Sequence, residues 1–151
     1  GMRVLGIRRT AAPCPHVDEQ GMPPHLPQFL QQADYVAVCV PLTHETDRMI
    51  GRRQFAAMKP HATLINVARG RVVDIDALKT ALQEGRIAAA CLDVMPVEPW
   101  PPDDALWNEP ACFLTPHNAF VSPLYLRRTA RLWLDNLDRF TSGTALLHTV
   151  P

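Results

Sequence analysis

The side chains best suited to chemistry in this sequence are an arginine, a glutamate and a histidine: Arg69, Glu98 and His117. A histidine can transfer a proton near neutral pH, and a neighbouring carboxylate favours its protonated form. An arginine offers a planar fork of N–H donors that matches a carboxylate. Together they suit the reduction of a 2-keto acid: Arg69 binds the carboxylate, His117 protonates the developing alkoxide, and Glu98 orients His117. The hydride would come from a nicotinamide cofactor, because no side chain supplies one.

Each of these residues also has a purely structural interpretation. Arg69 could be a solvated arginine in an ordinary strand-to-helix turn, and His117 could cap the approach to the last helix. Glu98 could be a solvated loop carboxylate, and Asp93 a plain turn residue after a strand. Spacing alone does not show that Arg69, Glu98 and His117 meet, so the elements that carry them must decide.

Composition narrows the class of protein. The 151 residues suit one packed domain, and 15 Lys and Arg balance 15 Asp and Glu, which gives no reason to expect a nucleic-acid or acidic-membrane partner. No apolar run reaches the roughly 20 residues that span a bilayer, so we expect a cytoplasmic protein. Cys39, Cys91 and Cys112 fall in apolar runs and are predicted to be buried free thiols. We predict no metal site, because Cys14 and His16 lack a second ligand pair.

The elements alternate between short apolar runs and helical patterns. Strands are predicted at residues 3–7, 35–40, 62–67, 87–94 and 112–114. Helices are predicted at residues 28–32, at 52–58, and from Asp74 as N-cap to a stop at Gly85, with a single turn at 103–107. The last helix is predicted to start at Ser122 and Pro123, to carry the stripe Leu126, Ala130, Trp133, Leu134 and Leu137, and to end at Gly143. Residues 11–28 hold five prolines and are predicted to be a loop.

Apolar strands that alternate with helices predict a parallel sheet covered on both faces, which is an α/β fold. Ligands bind beyond the carboxyl ends of the strands in such a sheet. The sequence places its polar or turn-forming residues there. The five predicted strands are followed, or ended, in turn by Arg8 and Arg9, Val40-Pro41, Arg69, Asp93 and His117.

Several of these segments resemble the signatures of one enzyme family. Asn66-Val67-Ala68-Arg69-Gly70, then Leu92-Asp93-Val94 with Glu98-Pro99, then Thr115-Pro116-His117 are similar, in that order, to the motifs of the D-isomer-specific 2-hydroxyacid dehydrogenases. Val40-Pro41-Leu42-Thr43 with Glu45-Thr46 looks like the cofactor-contacting loop of the same family. The resemblance implies a Rossmann-like cofactor domain and an oxidoreductase that transfers a hydride between NAD(P)H and a small 2-keto or 2-hydroxy acid.

The resemblance also implies roles for individual residues. Arg69 would bind the substrate carboxylate, and His117 with Glu98 would form the acid–base pair. The implied cofactor contacts are Val40, Pro41, Val67, Ala68, Arg69, Asp93, His117 and Ala119. Family members are commonly dimers, so the resemblance also implies a homodimer.

The cofactor-binding pattern departs from the family at Arg8. Members usually carry an acid at this position that hydrogen-bonds the adenosine ribose. Arg8, with Arg9 and Thr10 beside it, would instead attract a 2′-phosphate. We therefore predict a preference for NADP(H) over NAD(H).

A second departure is the lack of a Gly-x-Gly-x-x-Gly loop anywhere in the 151 residues. By the family's order, the first strand and this loop would precede Gly1, and the strand would lie between residues 3–7 and 35–40. We therefore expect residues 1–151 to be a partial dinucleotide-binding domain, a fragment without the substrate domain. If the chain is stable as written, either the strand at 3–7 has moved into the central position or another chain fills the gap.

Two other functions compete with an oxidoreductase. A relative could use the same domain as a non-catalytic nucleotide-binding scaffold, but a scaffold has no need of an acid–base pair. An inactive remnant of such an enzyme is the third interpretation, and it is favoured by the absent glycine loop.

Overall fold

The computed structural model describes residues 1–149. The chain divides into two compact units, Gly1–His117 and the segment from Asn118 onwards. We describe each unit by itself. Every residue predicted to act on the substrate, namely Arg69, Glu98 and His117, belongs to the first unit.

The first unit begins with a small parallel sheet of two strands, β1 (Leu5–Ile7) and β2 (Glu19–Gly21). A single 3₁₀ turn (Pro23–His25) leads into helix α1 (Leu26–Leu30). The prediction of a loop at residues 11–28 is therefore wrong from Glu19 onwards. The three residues of β2 carry no apolar periodicity, and the pairing with β1 holds them extended, so tertiary contacts override the local sequence signal.

A four-stranded parallel sheet forms the centre of the unit. Its strands are β3 (Tyr35–Val38), β4 (Thr63–Asn66), β5 (Ala89–Leu92) and β6 (Cys112–Leu114), and they lie in that order. Each pair is parallel, with Val36 opposite Leu64, Leu64 opposite Ala90, and Ala90 opposite Cys112. The α/β, Rossmann-like class predicted from the sequence is confirmed, although most strands are shorter than the apolar runs suggested.

Two helices connect the strands of this sheet. Helix α2 (Arg52–Ala57) lies between β3 and β4, and helix α3 (Ile75–Gln83) lies between β4 and β5. The predicted start and stop of α3 are confirmed: the Asp74 side chain accepts a hydrogen bond from Ala77 N, and Gly85 follows the helix with a φ of +62°. Helix α3 buries Leu78, Ala81 and Leu82 in the core that also contains Leu64 and Ala90. The turn predicted at 103–107 is a 3₁₀ helix, Ala105–Asn108.

The second unit is built on helix α4 (Tyr125–Thr141). Gly143, with a φ of +69°, follows its end as predicted. The predicted start is wrong: the N-cap is Leu124, and Ser122 and Pro123 precede the helix without capping it. The stripe of Leu126, Trp133, Leu134 and Leu137 is exposed, and α4 buries no residue.

The carboxyl ends of four strands share one edge, because β3 to β6 are all parallel. The residues that follow these strands are Val40-Pro41, Arg69, Asp93 and His117. Strand β1 pairs only with β2 among the described strands, so the prediction that it moves into the central position beside β3 is wrong.

All four cysteines are free thiols, which confirms the prediction made for Cys39, Cys91 and Cys112. Cys91 and Cys112 are half-buried, and burial, with Glu109 and Cys91 nearby, raises the pKa of the Cys112 thiol to about 11. The prediction of burial is wrong for Cys39, which is exposed, as are the alternate residues Tyr35 and Ala37 of β3, the edge strand of its sheet. No helix within residues 1–149 is both long and apolar enough to cross a membrane.

Candidate active site

The turn after β4 is shaped by one buried amide, Asn66, which is 1% exposed. Its Oδ1 accepts a hydrogen bond from Ala68 N at 3.0 Å, and its Nδ2 donates to Arg69 O at 3.1 Å. These two bonds fix the backbone of residues 66–69 in one conformation. The turn leaves Val67 and Arg69 exposed and buries Ala68.

Gly70 brings this turn against the loop that follows β5. A Cβ atom on Gly70 would lie 2.0 Å from the carbonyl carbon of Met95 and 2.3 Å from its oxygen. Only glycine fits at such a distance from another backbone. The segment that carries Arg69 is therefore held beside the segment that carries Met95 and Glu98.

Glu98 joins the loop after β5 to the loop after β6. Its Oε1 accepts a hydrogen bond from Met95 N at 3.0 Å, and its Oε2 lies 2.8 Å from His117 Nδ1, a distance at which the imidazole N–H donates to the carboxylate. The Met95 N–H and then the His117 side chain hold the pKa of Glu98 below its usual range. Glu98 and His117 are thus in direct contact, as the sequence suggested.

The backbone of His117 lies in the left-handed region, with a φ of +53°. For a residue other than glycine this conformation costs about 1 kcal/mol. It is held by the bond from His117 N to Thr115 O at 3.0 Å. Thr115 is itself anchored, because its hydroxyl donates to Asp93 Oδ1 at 2.5 Å and Asp93 is buried. The end of β5 therefore helps to set the direction of the histidine.

Arg69 is exposed and points along its own turn: its Nη1 donates to Ala68 O at 2.7 Å. No hydrogen bond or ion pair joins Arg69 to Glu98 or His117 within residues 1–149. The structure thus brings two of the three predicted residues together and places the third on the adjacent loop. Its guanidinium has no carboxylate partner within that described range.

A cavity of about 360 Å³ opens beside the Glu98–His117 pair. Its apolar wall includes Met95, Trp100, Trp107 and Leu114. The sequence analysis did not identify these residues as part of the site. Two tryptophans lie within or just after a proline-rich loop, where large apolar side chains are uncommon unless they pack against other residues. This position could have indicated that the loop lines a cavity.

The loop after β3 is built by two threonines. Thr46 Oγ1 donates to Pro41 O at 2.6 Å and accepts from Thr43 N at 2.7 Å. The Thr43 hydroxyl, with smaller contributions that include Arg9, lowers the pKa of Glu45. Arg9, which follows β1, therefore lies near the loop that follows β3.

The residues at this end of the unit fit an anionic cofactor. Arg8 and Arg9 are exposed and make no ion pair with a carboxylate in the described part of the chain. Arg8 Nη1 donates only to the backbone oxygen of Ala12, at 2.9 Å. Both guanidinium groups can therefore turn toward a phosphate. Within residues 1–149 no group of three or more His, Cys, Asp or Glu side chains could hold a metal ion.

Comparison with known proteins identifies the family. The family model for the D-isomer specific 2-hydroxyacid dehydrogenase NAD binding domain matches residues 1–119. This chain belongs to that family. The turn at Asn66, the Glu98–His117 contact and the parallel sheet are therefore features of a 2-hydroxyacid dehydrogenase cofactor domain. The extent of that domain over the whole of residues 1–151 stays a prediction, and so does the contact with Ala119, which lies in the second unit.

Relatives within the family match most of the chain. It is 46% identical over 118 residues to the glyoxylate reductase of Korarchaeum cryptofilum, covering 78% of this chain and 36% of the relative. A 2-hydroxyacid dehydrogenase from Xanthobacter autotrophicus Py2, solved with NADPH and MES, superposes with a TM-score of 0.89 at 37% identity, covering 100% of this chain and 62% of the other. An NADPH-dependent glyoxylate/hydroxypyruvate reductase from Sinorhizobium meliloti, solved with NADP and sulfate, gives a TM-score of 0.89 at 28% identity, covering 99% and 48%. The chain thus spans less than two thirds of each relative's length.

The contact at Gly70 predicts that a methyl group there disrupts the packing of the turn after β4 against the loop after β5. We expect Gly70→Ala to lower the free energy of unfolding by about 3 kcal/mol or more, because backbone atoms must move to admit the Cβ. Gly51→Ala is the matched control: its Cβ would meet nothing closer than 3.5 Å, and we expect a cost of about 1 kcal/mol or less from the changed N-cap of α2. Urea unfolding measures both. Equal stability of the two variants would contradict the close approach.

The lowered pKa of Glu98 predicts a pH-dependent contribution to stability. A carboxyl whose pKa is depressed on folding stabilises the protein above its unfolded pKa and loses that effect as the pH falls through the folded value. We expect Glu98→Gln to be less stable than the parent at pH 7, by about 1 kcal/mol or less since Glu98 is partly exposed. The difference should begin to shrink near the unfolded pKa of about 4.3 and should keep shrinking as the pH falls. Urea unfolding at pH 3 to 7 tests this, with Glu84→Gln as a control. A difference that grows as the pH falls would contradict it.

Proposed function

We propose that the protein to which this chain belongs reduces a small 2-keto acid with a nicotinamide cofactor, and that Glu98 and His117 form its acid–base pair. The observation that carries the proposal is the 2.8 Å contact between Glu98 Oε2 and His117 Nδ1. That contact occupies Nδ1, so Nε2 is the nitrogen left to give a proton to the substrate. The same contact holds the imidazole ring in one orientation beside the cavity.

The position of the pair suits this role. His117 lines the 360 Å³ cavity together with Glu98, and both side chains are partly exposed. The left-handed backbone of His117 and the bond from Thr115 to Asp93 restrict the direction of the imidazole. A restricted acid near an open cavity can meet the oxygen of a substrate carbonyl without first losing much conformational freedom.

Arg69 is proposed to bind the substrate carboxylate. Its guanidinium is exposed, and within residues 1–149 its side chain donates one hydrogen bond, to the neutral carbonyl group of Ala68. Exchange of this bond for a bidentate, charge-assisted pair with a carboxylate is favourable. The Gly70 contact keeps the Arg69 turn against the loop of Glu98, so the carboxylate and the carbonyl of one small molecule could be held together.

The cofactor would contact the carboxyl-terminal edge of the sheet, where it would supply the hydride. The residues of the first unit proposed to hold it are Val40 and Pro41 after β3, Val67 and Ala68 after β4, and Asp93 after β5. The threonine-built loop at Pro41 and the Asn66 turn give two of these segments a fixed backbone.

We propose NADP(H) as the preferred cofactor. Arg8 and Arg9, with Thr10, would bind the 2′-phosphate, and neither arginine is paired with a carboxylate in the described part of the chain. The structures of two relatives were solved with NADPH or NADP bound, which supports a preference for NADP(H). The substrate class proposed is that of the named relatives, glyoxylate and hydroxypyruvate. A homodimer and a cytoplasmic location stay predictions.

Substitution of the proposed acid tests the reaction. We expect His117→Asn to lower kcat/KM for glyoxylate about 10²- to 10⁴-fold while the fold is kept, because asparagine tolerates the left-handed backbone but transfers no proton. We expect Arg69→Lys to lower it about 10- to 100-fold, mainly through KM, because lysine cannot make the bidentate pair. Circular dichroism controls for folding.

Activity is measured on this chain and on a chimera in which its residues replace the matching segment of the Sinorhizobium meliloti reductase. Turnover in the chimera alone would mean that the acid–base pair needs the rest of the protein. Full activity of the His117→Asn chimera would contradict the proposed acid. Cofactor binding without turnover in either form would instead favour a nucleotide-binding scaffold.

Reversal of the charge at position 8 tests the preference for NADP(H) over NAD(H). In the active form we expect kcat/KM with NADPH to exceed that with NADH about tenfold or more, because a guanidinium–phosphate pair is worth about 1.5–3 kcal/mol. Arg8→Asp should reverse the ratio, and Arg3→Asp, near the start of the chain, is the control. A clear NADH preference of the parent would contradict the proposal.

A further inference from the structure

The turn after β4 carries two arginines, one on each side of Gly70, and their side chains have different partners. The Arg69 side chain donates to a backbone carbonyl of its own turn, whereas the Arg71 side chain lies against a carboxylate. Arg71 Nε donates to Asp47 Oδ1 at 3.2 Å, and Arg71 Nη2 donates to Asp47 Oδ2 at 2.6 Å. Both carboxylate oxygens are engaged, so this is a bidentate pair that fixes the direction of both side chains.

Asp47 belongs to the loop that follows β3. Its backbone N–H donates to Thr43 O at 3.0 Å, and the Thr46 hydroxyl donates to Pro41 O at 2.6 Å. Thr43 N in turn donates to Thr46 Oγ1 at 2.7 Å. We call residues 41–47 the cofactor loop, because Pro41 is one of the proposed cofactor contacts. Since these hydrogen bonds connect Asp47 to Pro41, a contact that holds Asp47 also restrains Pro41.

Backbone hydrogen bonds join the residues after the cofactor loop to the turn after β4. Arg48 N donates to Arg71 O at 2.7 Å, and Ile50 N donates to Val72 O at 3.1 Å. Ile50 and Val72 are buried in the core. These bonds hold residues 48–50 in place, and the bidentate pair extends the contact from there to the cofactor loop.

We propose that Asp47 and Arg71 are positioning residues, whose ion pair holds the cofactor loop in place beside the turn that carries Arg69. This role rests on the proposed function, in which Pro41 contacts the cofactor and Arg69 binds the substrate carboxylate. Val72 N donates to Arg69 O at 3.1 Å, so both arginines belong to one tight turn. The pair thus orders two binding segments before either ligand arrives, which leaves less conformational freedom to be lost on binding.

The exposure of the pair limits the size of its effect. The side chains of Arg71 and Asp47 are 59% and 31% exposed, and exposed ion pairs contribute little to global stability. A contact of this kind suits the placement of a loop, for which we expect a change of a few fold in ligand binding. Arg86 offers a matched control, because it is 60% exposed and bonds to Glu84, two residues away, so its ion pair joins no two loops.

Amide hydrogen exchange, followed by NMR on the full chain, tests the restraint without any ligand. We expect Asp47→Asn and Arg71→Gln each to lower the protection factors of the Thr43 and Val72 amides about threefold to tenfold, while the amides of β4 and β5 keep theirs. The double variant should lose no more protection than either single variant, because one substitution already breaks the pair. Arg86→Gln should leave Thr43 and Val72 unchanged.

Steady-state kinetics on the active form separates positioning from stability. We expect Asp47→Asn and Arg71→Gln each to raise KM for glyoxylate and for NADPH about threefold to tenfold, with kcat within about twofold of the parent, because the ligands must then order the loop. A merely structural pair would lower the fraction of folded enzyme, which lowers the apparent kcat and leaves KM unchanged.

Three results would overturn the proposal: an unchanged KM, unchanged protection at Thr43 and Val72, or a loss of protection shared equally by β4 and β5. Absence of turnover in the parent would contradict the proposed function instead. The protection factors need no ligand, so they would still decide whether the ion pair restrains the cofactor loop.

Discussion

The Glu98 carboxylate is the contact on which the proposed site depends. One of its oxygens accepts a hydrogen bond from Met95 N and the other accepts one from His117 Nδ1. Glu98 therefore joins the loop after β5 to the loop after β6. Because Gly70 packs on the Met95–Pro96 peptide, the turn after β4 is held at the same place. Three loops from three parallel strands are thus linked through residues 95–98. The low pKa of Glu98 means that it stays charged, and able to hold His117, at neutral pH.

The sequence predicts this arrangement to the extent that parallel strands dictate it. Apolar runs located β3 to β6, and parallel pairing then places the residues after each strand at one edge. Arg69, Glu98 and His117 were candidates from residue type, strand ends and family motifs, and the strand order explains why they lie on adjacent loops. The contact between Glu98 and His117 follows from backbone geometry that no sequence spacing reveals, including the left-handed conformation at His117.

The errors of the sequence analysis also have physical causes. Strand β2 has no apolar pattern and exists through its pairing with β1. Ser122 and Pro123 look like a helix start, but α4 begins at Tyr125 with no side-chain cap, so favourable capping residues do not by themselves fix a helix start. Trp100 and Trp107 line the cavity because the loop folds back beside His117, which is a tertiary feature. The side chain of Arg69 bonds to its own turn, an orientation that residue type does not determine.

The fold and the family are established by the sheet and by the match over residues 1–119, whereas the reaction is proposed from the geometry of a chain that spans part of its relatives' length.

The most direct test of the account is a double-mutant cycle on kcat/KM for glyoxylate reduction in the active form, with Glu98→Gln, His117→Asn and the two combined. If Glu98 acts by orienting His117, its removal matters only while the histidine is present. The account therefore predicts that the double variant is no slower than His117→Asn alone. If the fold losses in kcat/KM of Glu98→Gln and His117→Asn multiply in the double variant, the account is contradicted.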